Sequence, residues 1–428
     1  MKNTCLGSKI NQKRIAVILY ISIAIMTVLL NALAWSSTAF CDAYIAFVFP
    51  MWVNTYGRVT GMFAFSVGEW LLVAGVILIV VAVVLLPVVL FRWILTRRGR
   101  DGGVNWLAIR KFYIFFAWIL LAVCLVMTLN CSILYHATPF SEKYFGETQG
   151  HRALSEEDER TKLEELFRVR NLVAKQCNVL SEQVERDAEG MPVYLSEQIS
   201  SLAELKEPEG EHRVKMVDKA REMMQQLGKT YDQLDGWYPR PKPMFFSDFM
   251  CQQHMEGYYF PFSMEANYND VMNEILKPAC MCHELAHLRG YIFEDEANFI
   301  AYMACVQSDD SFFRYSGYLS VLNYLNNDLY GAYQKNSTLF AEVAEEIPPV
   351  IVDSRVHEDN TFVSDEEWDR INGKALLDTE VVDAAADVYL DVTLKANGVS
   401  DGKISYSRVV ELLLLYYRMV DEDNCRIE

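Results

Sequence analysis

Three stretches of the chain run for more than twenty positions without a charged residue, and nothing else in the sequence restricts its fold so sharply. They are Ile15–Trp35, Trp70–Leu90 and Phe112–Tyr135, of 21, 21 and 24 residues. At about 1.5 Å per residue, each reaches across a hydrocarbon core of about 30 Å. A buried helix of a water-soluble protein rarely stays uncharged for so long. The first 135 residues are therefore predicted to be a membrane domain with helices at about 15–35, 70–90 and 112–135.

Flanking charges give this domain a direction. Lys2, Lys9, Lys13 and Arg14 precede the first helix, and Arg92, Arg97, Arg98, Arg100, Arg110 and Lys111 lie between the second and third. Between the first and second there is only Arg58, with Asp42 and Glu69. The positive-inside rule places the N-terminus and the 91–111 loop in the cytoplasm. With three spans, everything after Tyr135 is expected outside the cytoplasmic membrane. The first apolar run is too long for a cleaved signal peptide. "STAFC", ending at Cys41, is a poor lipidation site because the bulky Phe40 precedes the cysteine. The aromatic segment 37–66 is interrupted by Pro50, Gly57 and Gly61, so it is expected to lie at the lipid headgroups or to form a re-entrant loop.

Charge separates this part from the rest. Residues 1–135 hold 11 Lys/Arg and 3 Asp/Glu, a formal +8, so the −18 of the whole chain leaves −26 on residues 136–428. An acidic outer part repels phosphates and excludes nucleic acid as a partner. Of the ten cysteines, Cys280 and Cys282 stand next to His283. A single Cys-x-Cys-His without a second cysteine cluster reads as core packing, and the others form no dense disulfide framework.

The outer part divides into a helical region, 136–240, and a second region, 241–428, that ends in helices near 379–396 and 405–420. Apolar residues at three- and four-residue spacing predict helices within 154–235, separated by the acidic Gly/Pro stretch at 186–211. "GYYFPFSMEANYND", 257–270, reads as an edge strand, because Pro261 cannot donate to a ladder. Two helices follow, at about 272–289 and 294–308, and acidic loops fill much of 343–372.

Those two helices carry the chemistry. "CHELAHLRGYIFEDEANFIAY", 282–302, contains His283, Glu284 and His287 in the order His-Glu-x-x-His. Residues four apart share a helix face, so both imidazoles can meet one zinc ion. Glu284 can take a proton from a water polarised by that ion and pass it to the leaving amine. A catalytic zinc needs a third protein ligand and an open position. Gly290 can end the first helix and turn the chain back, and the second helix opens with carboxylates. Glu294 is favoured as the third ligand, with Asn298 on the same face to hold a ligand histidine. Glu296 lies about 200° round the helix from Glu294 and is the alternative. Asp295 reads as a helix-start charge.

"CHELAHLRGYIFEDEANFIAYMAC", with "GYYFPFSMEAN", "FRYSGYL" and "YLDVTLKANGVSDGKISYSRVVELLLLYY", resembles a family of bacterial membrane proteins defined only as a domain of unknown function. The resemblance spans nearly the whole chain. The local pattern of His-Glu-x-x-His followed by Glu-x-x-x-Asn is similar to the gluzincin metallopeptidases, where the first Glu of Glu-x-x-x-Asp is the third zinc ligand. That resemblance implies Glu294, although this chain carries Asn298 where Asp is usual.

The expected fold class is α+β: three transmembrane helices, then a mostly helical zincin-like domain of gluzincin type with a small sheet. The expected function is that of a membrane-anchored zinc metallopeptidase, a hydrolase that acts on peptides or proteins and touches membrane lipids. The alternative is a non-catalytic sensor or scaffold built on a peptidase fold. Intramembrane proteolysis fits badly, because "NYNDVMNE" and "FEDEAN" are too polar for a span. A peptide substrate could add as a strand beside "YYFPFSMEAN". Tyr258, Tyr315, Arg314 and His254 are candidate substrate or oxyanion contacts.

Overall fold

The computed structural model describes residues 2–97, 106–146, 156–194, 210–396 and 408–425. Residues 98–105 of the loop between the second and third apolar helices and 195–209 of the acidic stretch lie outside the described residues. The chain divides into two compact units. One is 1–45, 67–137 and 261–263; the other is 46–66, 138–260 and 264–428.

The first unit holds the three apolar helices, Lys2–Ser36, Val67–Arg97 and Trp106–Met127, the last continuing through a π turn at Thr128–Ser132. The stretches long and apolar enough to cross a membrane are Gln12–Ser36, Val67–Trp93 and Leu107–His136. Few of their side chains are buried, so their apolar surface faces outward, as lipid requires. Polar groups in these helices pair with one another or with backbone carbonyls. Asn31 Nδ2 donates to Thr128 Oγ1 (2.7 Å), Ser132 Oγ donates to Asn31 Oδ1 (2.7 Å), and Tyr113 OH donates to Ala82 O (2.7 Å). Such interhelical bonds hold together helices that lipid would otherwise solvate equally well.

The second unit is mostly helical. Glu156–Ser181 and Gly210–Leu227 are separate helices, as the periodicity predicts. The helix that carries His-Glu-x-x-His, Lys277–His287, packs against Gly210–Leu227, Glu294–Val306 and Ser311–Lys335. Pro278 in its first turn has the backbone angle a helix start needs, and Cys280, Met281, Cys282, Leu285 and Ala286 are buried. Against the same helix lies a three-stranded sheet of order β1-β3-β2, with β1 Lys242–Pro243, β2 Gly257–Phe260 and β3 Glu265–Tyr268. β3 pairs parallel with β1 and antiparallel with β2.

Two expectations change, and two further features join them. The 257–270 stretch is a hairpin rather than one strand, and Pro261 lies in its turn, so the proline ends pairing instead of marking an edge. The 343–372 region holds the helices Ser337–Glu346, Ser354–Asp359 and Asp365–Lys374; their acidic residues favour helix starts and solvated faces rather than loops. The helix Ser311–Lys335 buries Phe312, Phe313, Leu319, Leu322 and Leu325, and Asp310 caps its start, accepting from Phe312 N and Phe313 N. Eight cysteines among the described residues are free thiols, and the three around the motif, Cys280, Cys282 and Cys305, are buried as core.

Candidate functional site

Gly290 adopts φ +88°, which turns the chain out of the motif helix within three residues of His287. The next helix then starts at Glu294, with Glu294, Asp295 and Glu296 in its first turn, where negative charge suits the helix dipole. This turn brings Glu294 back over the two histidines. His283 Nε2 lies 3.0 Å from Glu294 Oε2 and 3.0 Å from His287 Nε2, and His287 Nε2 lies 3.8 Å from Glu294 Oε1.

The far nitrogens are held. His287 Nδ1 is 2.7 Å from the Tyr291 carbonyl, which can only accept, so Nδ1 carries the proton and Nε2 presents its lone pair. His283 Nδ1 is 2.8 Å from Asn298 Oδ1, and Asn298 Nδ2 donates to Tyr324 OH at 3.3 Å. Two imidazole nitrogens and a carboxylate thus converge on one point. A positive charge belongs there, either a proton between His283 and Glu294 or a metal ion. Without a metal the proton takes that place. Burial opposes charge on both groups, but the hydrogen bond and attraction between them raise the His283 pKa and lower that of Glu294. Burial pushes His287 down to about 4.

The donor set fits a tetrahedral divalent ion. Ligands held tetrahedrally at about 2.1 Å stand about 3.4 Å apart, and the three separations here run from 3.0 to 3.8 Å. Paired oxygens on the distal ring nitrogens orient the imidazoles as metal ligands require.

Glu284 lies beside this point. Ligand atoms of His283, Glu284 and His287 all fall within 4.8 Å of one another, so Glu284 also reaches the cluster. Its position differs from that of Glu294, whose two oxygens each face one histidine. Glu284 is buried, and its Oε2 has no hydrogen-bond partner. Burial, then the Glu294 and Glu256 carboxylates, raise its pKa to about 8, against the pull of His283. β2 is pressed against it: a Cβ on Gly257 would stand 2.5 Å from Glu284 Oε1 and 2.7 Å from Cys280 Sγ. Only glycine permits that approach.

The remaining candidates fall elsewhere. Glu296 turns away, and its Oε1 accepts from Phe140 N at 2.5 Å, capping the helix Phe140–Phe145; burial and the charge of Asp295 raise its pKa to about 8. Asp295 is more than a helix-start charge: it is buried, and Arg408 Nε lies 3.2 Å from its Oδ2, at the start of the closing helix Arg408–Cys425. Tyr315 is fully buried and donates to Asp359 Oδ2 at 2.6 Å, so its hydroxyl is committed to a core pair with Arg186 and not to substrate. His254 is exposed and faces Asp383 at 3.1 Å. Tyr258 follows Gly257 on β2 and is partly exposed. Sequence reasoning missed Tyr291, Tyr324, Gly257 and Tyr259, whose ring lies 5.8 Å from that of His287. Tyr324 stands 26 residues beyond Asn298 on another helix, and no spacing rule points to it.

A family model described as "Protein of unknown function (DUF3810)" matches residues 44–414. No curated protein and no solved structure matches the chain.

Proposed function

Since the chain belongs to the DUF3810 family, whose description names no activity, we propose its function from the site: a membrane-anchored zinc metallopeptidase whose catalytic unit lies outside the cytoplasmic membrane. The observation that carries this reading is the convergence of His283 Nε2, His287 Nε2 and the Glu294 carboxylate beside the unpartnered oxygen of Glu284. The helix, glycine turn and second helix under a small sheet are what a zincin-like, gluzincin-type domain would offer.

His283, His287 and Glu294 would hold one zinc ion. When bound, zinc supplies Lewis acidity, which makes a water nucleophilic near neutral pH. Glu284 would accept the proton lost by a water that attacks the peptide carbonyl carbon. The C–N bond then breaks, and Glu284 returns the proton to the leaving amine, giving a carboxylic acid and an amine. Asn298 and the Tyr291 carbonyl keep both imidazoles in register. β2 is at the sheet edge, so an extended peptide can add beside it, with Tyr258 as a contact.

The test is hydrolysis by the full-length protein in lipid discs, assayed against a diverse peptide library and membrane-protein fragments. Cleavage should stop with a zinc chelator and return when zinc is restored. A wild-type protein that carries zinc and cleaves nothing would instead be a sensor or scaffold.

The orientation has its own test. Protease added to spheroplasts should degrade 136–428 and spare the 91–111 loop, as the basic residues flanking the second and third helices require. The reverse pattern would put the catalytic unit in the cytoplasm.

A further inference from the structure

Six apolar side chains of the second unit stand in solvent contact close to its sheet: Met62, Phe63, Phe65, Phe245, Phe246 and Phe249. Met62 and Phe245 are the extremes, at 83 % and 76 % exposed. We propose that these side chains form a membrane-insertion face belonging to the second unit, and that its occupant is the boundary between lipid headgroups and acyl chains.

Lys242 ties the two groups together. Its ammonium donates to Thr60 O (2.8 Å) and Phe65 O (3.0 Å) and pairs with the buried carboxylate of Glu265. All three protons of a buried charge are thereby used, and the 60–65 loop is fixed to β1. The chain then leaves β1 directly into Met244–Phe246 and the short helix Ser247–Cys251. Rings pair within each group, Phe63 with Phe65 at 5.4 Å and Phe245 with Phe246 at 5.1 Å.

Chain connectivity identifies the occupant. The span Val67–Trp93 begins two residues after Phe65. Two residues reach at most about 7 Å, and the polar layer on each side of a bilayer is about 5–8 Å deep. Phe65 therefore lies within or beside that layer, and Lys242 brings the Phe245 group to the same loop. Aromatic and apolar residues are the ones that settle at this depth. The acidic residue in the middle of "FFSDF" does not oppose it, because both Asp248 oxygens accept from Arg370, at 2.6 and 2.8 Å. Arg58 is likewise engaged, stacked 4.4 Å over the Trp237 ring. This inference does not depend on the peptidase reading.

The experiment places a nitroxide label at Phe245→Cys and, separately, at Phe249→Cys in the full-length protein in lipid discs. Ile351→Cys, 85 % exposed, is the aqueous reference, and the labelled parent chain corrects for the native thiols, of which Cys124 is exposed among the described residues. Electron paramagnetic resonance then compares collision with oxygen, which partitions into lipid, and with a water-soluble nickel chelate. The oxygen-to-nickel ratio at 245 and 249 should exceed that at 351 several-fold. Equal ratios at all three positions would overturn the proposal. So would a high ratio at 245 that disappears at one protein per disc and returns with spin–spin broadening at higher occupancy, because the face would then be covered by a second copy.

Discussion

Glu284→Gln should keep its zinc and its fold while losing peptide hydrolysis by about 10²–10⁴-fold, the range a positioned acid–base group contributes. The three groups proposed to hold the ion are His283, His287 and Glu294, and none is altered. Gln has nearly the volume of Glu, so the contact with Gly257 is preserved. It also removes a carboxylate from a buried position, which should leave thermal stability unchanged or raise it. What it lacks is an oxygen that can take and return a proton. Zinc content by mass spectrometry, a thermal melt and kcat on a cleaved peptide separate these effects. A variant with normal zinc and normal turnover would remove Glu284 from the mechanism. A cellular phenotype fully rescued by Glu284→Gln would favour the non-catalytic reading.

The parts of this protein that showed in its sequence are those in which a short physical rule links neighbouring residues. An uncharged run longer than a bilayer core marks each apolar helix, and the described helices extend a few residues beyond each run. The i, i+4 rule puts His283 and His287 together, and Gly290 signals the turn that returns Glu294. The 100° step of a helix sets Glu294 and Glu296 on different faces, and Glu296 points away from the histidines, to Phe140. Rules of this kind fail where partners are far apart in the chain. Nothing near Tyr315 shows that Asp359 will take its hydroxyl, and nothing near Asn298 indicates Tyr324. Gly257 was invisible for a related reason: its need for a hydrogen in place of a Cβ comes from Glu284 and Cys280, more than twenty residues away. Lys242 and Glu265 look like surface charges in sequence, and only the sheet and the 60–65 loop make them a buried pair.

Replacing His283 or His287 by Ala should abolish stoichiometric zinc binding, because two remaining protein ligands hold the ion poorly. The full-length protein should otherwise take up about one zinc per chain. The two glutamates then divide cleanly. Glu294→Gln should lose zinc, since its carboxylate lies 3.0 Å from one ligand nitrogen and 3.8 Å from the other. Glu296→Gln should keep zinc and affect the fold instead, because its carboxylate accepts the Phe140 N–H. Asn298→Ala belongs between them. It frees the His283 ring without removing a ligand, and affinity should fall about 10–100-fold, the usual effect of losing a partner that orients a ligand histidine. Competition titration against a chromophoric chelator measures all five variants on one scale, and a thermal melt on each distinguishes a lost ligand from a lost fold. If Glu296→Gln released zinc from a folded protein while Glu294→Gln retained it at wild-type affinity, the site built here from His283, His287 and Glu294 would be wrong.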